Sequence, residues 1–309
     1  VEQAFSILIE NANDLPTGSV EISGVPTAGE TLVAENSIFD QDGVGTLEYQ
    51  WSRDGVAIEG ATAETYTLSA ADVGAVVAVC VNYTDAQGTA ETVTSEGTPP
   101  VAAANQAPFG LNLSAAVITE NKIAGSVVGE LSAADPDADD LLTYSLVSGD
   151  GDTENDSFEI VGSELRAAES FDFEIQNQYS IRVRATDSAG LLAEKTFSIG
   201  ISNVNEAPFD LNVSAETINE NEIAGSVVGK LTAADPDAED VLTYSLVAGE
   251  DAPDNDLFEI VGDELRTKMQ FDYESKSSYT VRVRATDSEG SLTEQTFVIA
   301  INDINEVPF

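Results

Sequence analysis

Short runs in which apolar and polar residues alternate extend along the whole chain, and this period of two is typical of half-buried β-strands. In the first third the runs lie at residues 20–22, 31–34, 47–51, 65–68, 76–83 and 90–94. Turn residues such as Asp54-Gly55 separate them, and no helix longer than one turn is predicted. The pattern predicts an all-β sandwich over residues 17–104, with Trp51 in its core.

From Pro108 onward the sequence repeats with a period of 100 residues, without insertion or deletion. Matched positions include Glu120 and Glu220, Asp135 and Asp235, Tyr144 and Tyr244, Phe158 and Phe258, and Phe197 and Phe297. A fixed period of this kind indicates one domain copied once. Each copy holds about seven β-prone segments, the number expected of a Greek-key sandwich.

These patterns predict the domain organisation. Residues 5–16 are similar to residues 197–208, so we expect residues 1–16 to be the last strand and linker of a preceding repeat. Residues 17–104 then form the first sandwich, 105–206 the first repeat, and 207–309 the second repeat with its C-terminal linker. No leader peptide opens the chain and no apolar run is long enough to span a bilayer, which predicts a piece of a larger protein without direct membrane insertion.

The chain is strongly acidic, with 56 Asp and Glu against 12 Lys and Arg, no His, and a formal net charge of -44. This charge would repel nucleic acid and anionic membranes, so the implied partners are cations. A solvated acidic surface suited to salt water is the alternative, but it would not place acids at fixed positions. The single cysteine, Cys80, cannot form an intrachain disulfide, and its apolar neighbours predict that it is buried.

In each repeat the acids fall into two sets at opposite ends of the predicted sandwich. The first set lies in the loop between the second and third strands and in the loop between the last two, where the chain enters the domain. Its members are Asp135, Asp137 and Asp187, with Asp235, Asp237 and Asp287 in the second copy. The second set lies where the chain leaves, in the loop after the first strand and the loop before the sixth. Its members are Glu120, Asp172 and Glu174, with Glu220, Asp272 and Glu274 in the second copy.

Tandem repeats bring the second set of one domain to the first set of the next, across a linker rich in oxygen ligands. Crowded carboxylates repel one another, whereas Ca²⁺ takes about 6–8 oxygen ligands and would hold them together. Turn formation alone would not pair the two ends so regularly. The linkers contribute Asn203, Asn205 and Glu206 between the repeats, and Asp303, Asn305 and Glu306 after the second repeat. The sequence therefore predicts joints closed by calcium.

The first sandwich carries a similar set where the chain enters it. The predicted ligands are Asp40, Asp42 and Asp85 in its loops and Asn11, Asn13 and Asp14 in the preceding linker. Its other end offers only Glu30 and Asp72, and the linker 103–108 contains Asn105 but no carboxylate. We therefore expect the joint at 103–108 to bind fewer or weaker Ca²⁺ ions than the joint at 203–208, and to bend more.

Four motifs recur in both copies: Glu-Asn at 120–121 and 220–221, Asp-x-Asp at 135–137 and 235–237, Phe-Asp-aromatic-Glu at 171–174 and 271–274, and Asp-x-x-Gly at 187–190 and 287–290. As a set they resemble those of tandem cadherin repeats. The linker at 303–308 resembles the family's linker signature most closely, whereas Asn203 stands where the family usually has Asp.

Residues 17–104 instead resemble the bacterial immunoglobulin-like domains of large surface adhesins, through residues 49–55, 66–68 and 73–74. The resemblance implies three β-sandwiches, one Ig-like and two cadherin-like, in an extended rod.

Two functions remain open. The resemblance to large repeats-in-toxin adhesins implies a calcium-rigidified stalk of a secreted bacterial cell-surface adhesin, supporting cell adhesion or biofilm formation, with neighbouring repeats of the same polypeptide as partners. The alternative is a recognition module that binds a like domain or a surface glycan. An enzyme is not expected, because without His no Ser/His/Asp, Cys/His or zinc arrangement can be assembled.

Overall fold

The computed structural model describes residue 3 and residues 12–138 and 140–306. In these ranges the chain forms 23 strands and three single turns of 3-10 helix, so the predicted all-β class with tandem sandwiches is confirmed. None of the described residues forms a helix long and apolar enough to cross a membrane. The predicted ligand Asn11 and the strand expected at 5–9 lie outside the described residues.

Two sheets form the first sandwich, and they enclose one apolar core. Its strands are β1 (Val20–Ser23), β2 (Thr31–Asn36), β3 (Glu48–Arg53), β4 (Val56–Ala57), β5 (Thr65–Thr67), β6 (Val77–Thr84) and β7 (Ala90–Thr94). The sheet orders are β1-β2-β5 and β4-β3-β6-β7. Trp51 is completely buried, as predicted, and its Nε1 donates a hydrogen bond to the Ala63 carbonyl oxygen at 2.9 Å.

Cys80 is half-buried, so the prediction of a buried cysteine was wrong. Along β6 the buried residues are Val77, Val79, Val81 and Tyr83, which alternate with residues of the other face. Cys80 lies on that other face, opposite Gln50 in the register of β3. The run of apolar residues hid this alternation in the sequence.

Each repeat contains eight strands in two four-stranded sheets. The first repeat has β8 (Phe109–Leu113), β9 (Val117–Thr119), β10 (Val127–Ala134), β11 (Thr143–Leu146), β12 (Phe158–Val161), β13 (Glu164–Ala167), β14 (Gln178–Thr186) and β15 (Leu192–Ser202). The second has β16 (Phe209–Val213), β17 (Thr217–Asn219), β18 (Val227–Ala234), β19 (Thr243–Leu246), β20 (Phe258–Val261), β21 (Glu264–Thr267), β22 (Ser278–Thr286) and β23 (Leu292–Asn302).

The eighth strand arises because the expected first strand is divided between the two sheets. In the first repeat β8 pairs antiparallel with β10, whereas β9 pairs parallel with β15. The sheet orders are therefore β12-β13-β10-β8 and β11-β14-β15-β9, and the second repeat has the same orders. Residues 114–116 carry the chain from one sheet to the other.

Strand ends place the acids of both sets. Glu120 follows β9, and Asp187 follows β14. The strands themselves are held by an apolar core that includes Phe158 and Phe171, whose ring centroids lie 5.2 Å apart. Burial of each such side chain contributes about 1.5–3 kcal/mol, so the loop acids start from firmly fixed positions.

The described chain divides into two compact units. Unit 1 contains the first sandwich, up to residue 107, together with the loop 135–140. Unit 2 contains residues 108–134 and the chain from residue 141 onward, that is, the second repeat and most of the first. The domain boundaries drawn from the sequence stay predictions.

Candidate metal centre

Three carboxylates converge at the end of the first repeat. Glu120, Glu174 and Glu206 each place one oxygen within 4.8 Å of the others. Glu120 follows β9, Glu174 lies in the loop before β14, and Glu206 belongs to the linker. Oxygens on opposite sides of a Ca²⁺ ion, each about 2.3–2.6 Å from it, have this separation. We call these three residues the exit cluster.

Two backbone amides, one in the linker and one in the loop before β14, fix the Glu120 carboxylate in the exit cluster. It is only 2% exposed. Its Oε1 accepts a hydrogen bond from the Val204 amide, and its Oε2 accepts one from the Phe173 amide, both at 2.7 Å. The carboxylate therefore ties the linker to the loop before β14.

The side-chain carboxylate of Glu206 accepts one hydrogen bond and leaves one oxygen unsatisfied. Asn121 Nδ2 donates to Glu206 Oε1 at 2.6 Å, from a backbone with a φ of 59° that asparagine tolerates better than most residues. Glu206 Oε2 is buried and accepts no hydrogen bond from any described residue. A buried carboxylate oxygen without a donor is costly, which fits a cation at this point.

A second group of carboxylates lies where the chain enters the second repeat. Asp235, Asp240 and Asp287 each place one oxygen within 4.8 Å of the others, and we call them the entrance cluster. Oδ2 of Asp235 and Oδ2 of Asp240 are buried and have no hydrogen-bond partner in the described part of the chain. The donor set of hard oxygens suits Ca²⁺.

Asp287 is oriented by the backbone of its own loop. Its Oδ1 accepts hydrogen bonds from the amides of Glu289 at 2.9 Å and Ser291 at 2.8 Å. Its Oδ2 accepts one from Asn205 Nδ2 at 2.9 Å. Although burial opposes the effect, these hydrogen bonds lower the pKa of the Asp287 carboxyl, so the charged form is favoured.

The linker is bound to the second repeat through Asp237. Asn203 Nδ2 donates to Asp237 Oδ1 at 2.7 Å, and the Glu206 amide donates to Asp237 Oδ2 at 2.9 Å. Asp237 in turn donates from its own amide to Asp235 Oδ1 at 3.1 Å. The linker residues and the acids of both repeats thus form one connected joint within unit 2.

Among the residues that the structure describes, no ion pair neutralises the negative charge of this joint. Loss of hydration, followed by the charges of Glu120, Glu206 and Asp237, raises the pKa of the Glu174 carboxyl. Burial, together with the charges of Asp240, Asp237 and Asp287, likewise raises the pKa of Asp235. The ion pairs between described residues all lie elsewhere.

The far end of the second repeat repeats part of this geometry. Glu220, Asp272 and Glu274 place oxygens within 4.8 Å of one another, and Asn221 Nδ2 donates to Glu306 Oε1 at 2.7 Å. In the first repeat, by contrast, Asp172 lies outside the exit cluster and accepts from the Ile175 amide at 3.0 Å. Asp303 and Asn305 are exposed, and neither joins a cluster of carboxylates within residues 12–138 and 140–306.

The acids before the first repeat are brought together within unit 1. Asp135, Asp137 and Asp140 place oxygens within 4.8 Å of one another. The Gln106 amide donates to Asp137 Oδ2 at 2.6 Å, and Asn105 beside it is half-buried. In unit 2, Asp187 is buried, and its Oδ1 accepts from the amides of Ala189 and Leu191 at 2.9 and 2.8 Å.

In the first sandwich, Asp40 and Asp85 lie together with Glu91, with oxygens within 4.8 Å. Asp42 accepts a hydrogen bond at Oδ2 from the Asp14 amide at 2.7 Å. Asn13 Nδ2 donates to Glu91 Oε1 at 2.8 Å. These contacts join the predicted linker residues to the predicted loop acids.

Asp72 is not available as the ligand that the sequence suggested. It is completely buried and forms an ion pair with Arg53 at 2.5 Å. Its Oδ2 also accepts hydrogen bonds from Tyr66 Oη at 3.0 Å and Ser69 Oγ at 2.7 Å. The prediction was wrong because Arg53 and Tyr66, two of the partners of Asp72, lie on β3 and β5 and are not evident from local sequence.

Sequence reasoning missed Asp140, Asp240 and Glu91. The two aspartates carried a signal, because Asp-Pro-Asp-Ala-x-Asp occurs at 135–140 and again at 235–240. Glu91 carried none, since it lies within a strand of alternating residues and reaches the site only through the pairing of β6 with β7.

The family model described as Cadherin domain matches residues 114–202 and 214–302, which together are more than half of the chain. The chain belongs to the cadherin family. Its cadherin domains are the two repeats, and such domains are adhesion modules. The matches do not include residues 17–104, whose resemblance to immunoglobulin-like domains stays a prediction.

Two curated relatives of these cadherin domains are animal proteins. Protocadherin Fat 4 of Mus musculus is 34% identical over 199 residues, which are 62% of this chain and 4% of that protein. Cadherin-4 of Caenorhabditis elegans is 30% identical over 200 residues, also 62% of this chain and 4% of that protein. The chain thus corresponds to a small part of these relatives.

Solved structures show the same fold. A structure of mouse cadherin-23 EC22-24 covers 95% of this chain and 100% of that chain, with a TM-score of 0.51 and 18% identity. Human protocadherin-24 EC1-2 covers 65% of this chain and 100% of that chain, with a TM-score of 0.52 and 22% identity. The extracellular domain of protocadherin gamma B4 covers 93% of this chain and 48% of that chain, with a TM-score of 0.50 and 19% identity.

Proposed function

We propose that the two cadherin domains form a calcium-stiffened segment of an extracellular adhesion protein. The observation that carries this proposal is the joint in unit 2, where buried oxygens of Glu206, Asp235 and Asp240 have no hydrogen-bond partner among the described residues. In an apolar or enclosed setting such oxygens need a counter-charge. Family membership supports calcium as that charge.

The chain's own side chains are already arranged to receive the ion. Glu120, Glu174 and Glu206 would hold Ca²⁺ at the exit cluster, and Asp235, Asp240 and Asp287 at the entrance cluster, with Asp237 between them. When bound, Ca²⁺ supplies positive charge that removes the repulsion between these carboxylates. The backbone donors to Glu120 and Asp287 keep both carboxylates in place, so the linker between the repeats becomes rigid.

A finer version of the proposal assigns this segment to the stalk of a large bacterial cell-surface adhesin, active in cell adhesion or biofilm formation. The net charge of -44 supports it, because such a chain suits an environment rich in divalent cations. The resemblance of residues 17–104 to bacterial adhesin domains also supports it. The curated relatives named above are animal proteins, and they support extracellular adhesion in general.

Distance measurements between the repeats test the stiffening. Spin labels at Ser132→Cys and Thr232→Cys occupy exposed, equivalent positions of β10 and β18, and Cys80→Ser removes the native thiol. With Ca²⁺ we expect a narrow distance distribution, and with chelator a broad one. Asp235→Asn with Asp240→Asn should give the broad distribution in both conditions, whereas Glu216→Gln, at an exposed site, should behave as the parent.

An equal width with calcium and with chelator would contradict the proposal. Calcium-dependent self-association in sedimentation, together with that equal width, would instead favour the alternative of a recognition module that binds a like domain. The two functions thus give different results with the same samples.

A further inference from the structure

The two sheets of the first sandwich differ in width, and this difference leaves one edge open. A sheet of three strands, β1-β2-β5, faces a sheet of four, β4-β3-β6-β7. Tyr66 of β5 stacks on Trp51 of β3, with ring centroids 5.7 Å apart, and β1 packs against β6. The described part of the narrower sheet therefore ends over β6, and no strand of it lies over β7. In each cadherin domain, by contrast, four strands face four.

The backbone of β1 presents hydrogen-bonding groups at this open edge. In the register of β1 and β2, Ile22 lies opposite Ala34. The Ala34 amide donates to the Glu64 carbonyl oxygen at 2.9 Å, so it points away from β1. In such an antiparallel pair both residues turn their backbone groups outward, so the N–H and C=O of Ile22, and of Val20 two residues before it, face the open edge. Groups of this kind are a template for another strand.

A groove of about 490 Å³ follows the same edge. Residues 19–22 of the chain line one wall, and residues 96–99, after β7, line the other. Val93, next to the lining residue Thr94, is half-buried, and its partner Val81 faces the core. β1 is four residues long, and an extended segment of that length spans about 13 Å. The groove thus has the position and length of a missing fourth strand.

Carboxylates border the groove, and the domain has no free basic side chain to balance them. Glu21 and Glu96 both line the groove and are exposed. Glu21 also lies directly opposite Glu35 of β2, where two like charges repel. Arg53 is the only Lys or Arg in residues 1–107, and it is paired with Asp72 at 2.5 Å. A second copy docking through this edge would bring the same carboxylates, so the charge favours a basic partner.

We propose that this edge of the first sandwich binds an extended segment of another protein in which apolar and basic residues alternate. The backbone of the segment pairs with Val20 and Ile22 and adds a fourth strand to the sheet. Its apolar side chains enter the groove beside Val93, and its Lys or Arg side chains lie next to Glu21 on the outer face. The proposal concerns the first sandwich alone, and it does not depend on the calcium joint of unit 2.

Two short synthetic peptides test the proposal on the full chain. One alternates valine and lysine, and the other alternates valine and glutamate. Isothermal titration calorimetry at low salt should show the lysine peptide binding tighter by on the order of tenfold, because Glu21 and Glu96 attract it and repel the other. Amide hydrogen exchange measured by NMR locates the bound peptide. The amides of Val20 and Ile22 should exchange more slowly when the lysine peptide is bound.

A pair of charge reversals tests the assignment of the edge. Glu21→Lys should weaken binding of the lysine peptide by on the order of tenfold and strengthen binding of the glutamate peptide by a similar factor. Glu64→Lys makes the same change of charge at an exposed position before β5, at the other edge of the same sheet, and should leave both affinities nearly unchanged. Thermal unfolding followed by the fluorescence of Trp51, the only tryptophan, shows that both variants are folded.

A pair of N-methylated peptides tests the backbone pairing. A strand turns alternate N–H groups to opposite edges, so only one set faces β1. Of two lysine peptides, one methylated at the valine amides and the other at the lysine amides, one should therefore bind and the other should not.

Three results would overturn the proposal. The first is equal binding of the two methylated peptides, which would mean that charge alone attracts them. The second is unchanged exchange at Val20 and Ile22, or equal affinities in Glu21→Lys and Glu64→Lys. The third is slowed exchange at these amides without peptide, increasing with the concentration of the chain, since the occupant would then be a second copy. Asp240→Asn should bind the lysine peptide as the parent does, so this proposal and that of the calcium joint can fail separately.

Discussion

Asp72 and Asp240 are both shielded carboxylates, and the chain treats them in opposite ways. In the first sandwich Asp72 accepts hydrogen bonds from Ser69 and Tyr66 and forms an ion pair with Arg53. Its negative charge is thus balanced within the protein. In unit 2, Asp240 lies beside Asp235 and Asp287, and its Oδ2 has no hydrogen-bond donor in the described ranges. The comparison shows that burial of an acid alone does not indicate a metal site.

The two carboxylates differ in what balances their negative charge. A carboxylate completed by an arginine belongs to the fold and needs nothing from solution. A carboxylate surrounded by other carboxylates is completed by a cation, and its contribution to stability then depends on how much of that cation is present. The predictions below use this dependence.

The largest effect is expected from Asp72→Ala. This change leaves Arg53, Tyr66 and the Ser69 amide without their shared acceptor, and we expect a loss of about 3–5 kcal/mol in the free energy of unfolding of the first sandwich. The loss should be the same with calcium and with chelator. Denaturant unfolding followed by Trp51 fluorescence measures it, with the exposed Glu64→Gln as control, and a calcium-dependent loss would contradict the comparison.

The sequence predicted the strands well, because alternation of apolar and polar residues follows directly from the geometry of a sheet. It failed where two faces are both apolar, as around Cys80, and where the first strand of each repeat changes sheets without a Gly or Pro to mark the change. The all-β class and the tandem sandwiches needed only local pattern, whereas these details depend on pairing between strands.

For the site, local sequence indicated which loops would come together but not which acids would remain unpaired. Asp72 and Glu91 show the limit. Asp72 finds Arg53 at a distance of 19 residues along the chain, and Glu91 reaches Asp40 only because β7 pairs with β6 in one particular register. The assignment of the ligands, unlike that of the loops, therefore stays a prediction.

Removal of calcium should have the next largest effect on the stability of unit 2. For each site filled at about 100 times its Kd, chelation removes about 2.7 kcal/mol of stabilisation. Calorimetry of the full chain should show the transition of unit 2 moving to lower temperature. A chain with both Asp235→Asn and Asp240→Asn should show a smaller shift, and an equal shift would place the calcium elsewhere.

The effect of Asp240→Asn on the stability of unit 2 should be smaller, and its sign should depend on whether calcium is present. With calcium present, Asp240→Asn removes one ligand and should destabilise unit 2 by about 1 kcal/mol. With chelator the same change relieves repulsion from Asp235 and Asp287, so it should stabilise unit 2 by about 1 kcal/mol. Asp72→Asn, as the matched change in the first sandwich, should destabilise in both conditions. Calorimetry of both variants, with calcium and with chelator, measures these changes in stability. If Asp240→Asn changed the stability of unit 2 in the same direction in both buffers, the prediction would be refuted.

The smallest effect on stability is expected from lowering the pH, because burial and hydrogen bonding shift the pKa of Asp72 in opposite directions. Burial raises the pKa of its carboxyl, but hydrogen bonds from the Ser69 amide and hydroxyl, from Arg53 and from Tyr66 outweigh it, so the pKa is lowered on balance. Since the pKa in the folded state lies below that of the unfolded chain, about 3.9, the stabilisation is fully present above that value and is lost as the pH falls through the folded pKa. Trp51 fluorescence at a series of pH values in chelator, with Asp72→Asn as the matched variant, isolates this contribution. Below about pH 3.9 the difference in stability between the two chains should shrink, because the protonated Asp72 then resembles the asparagine that replaces it.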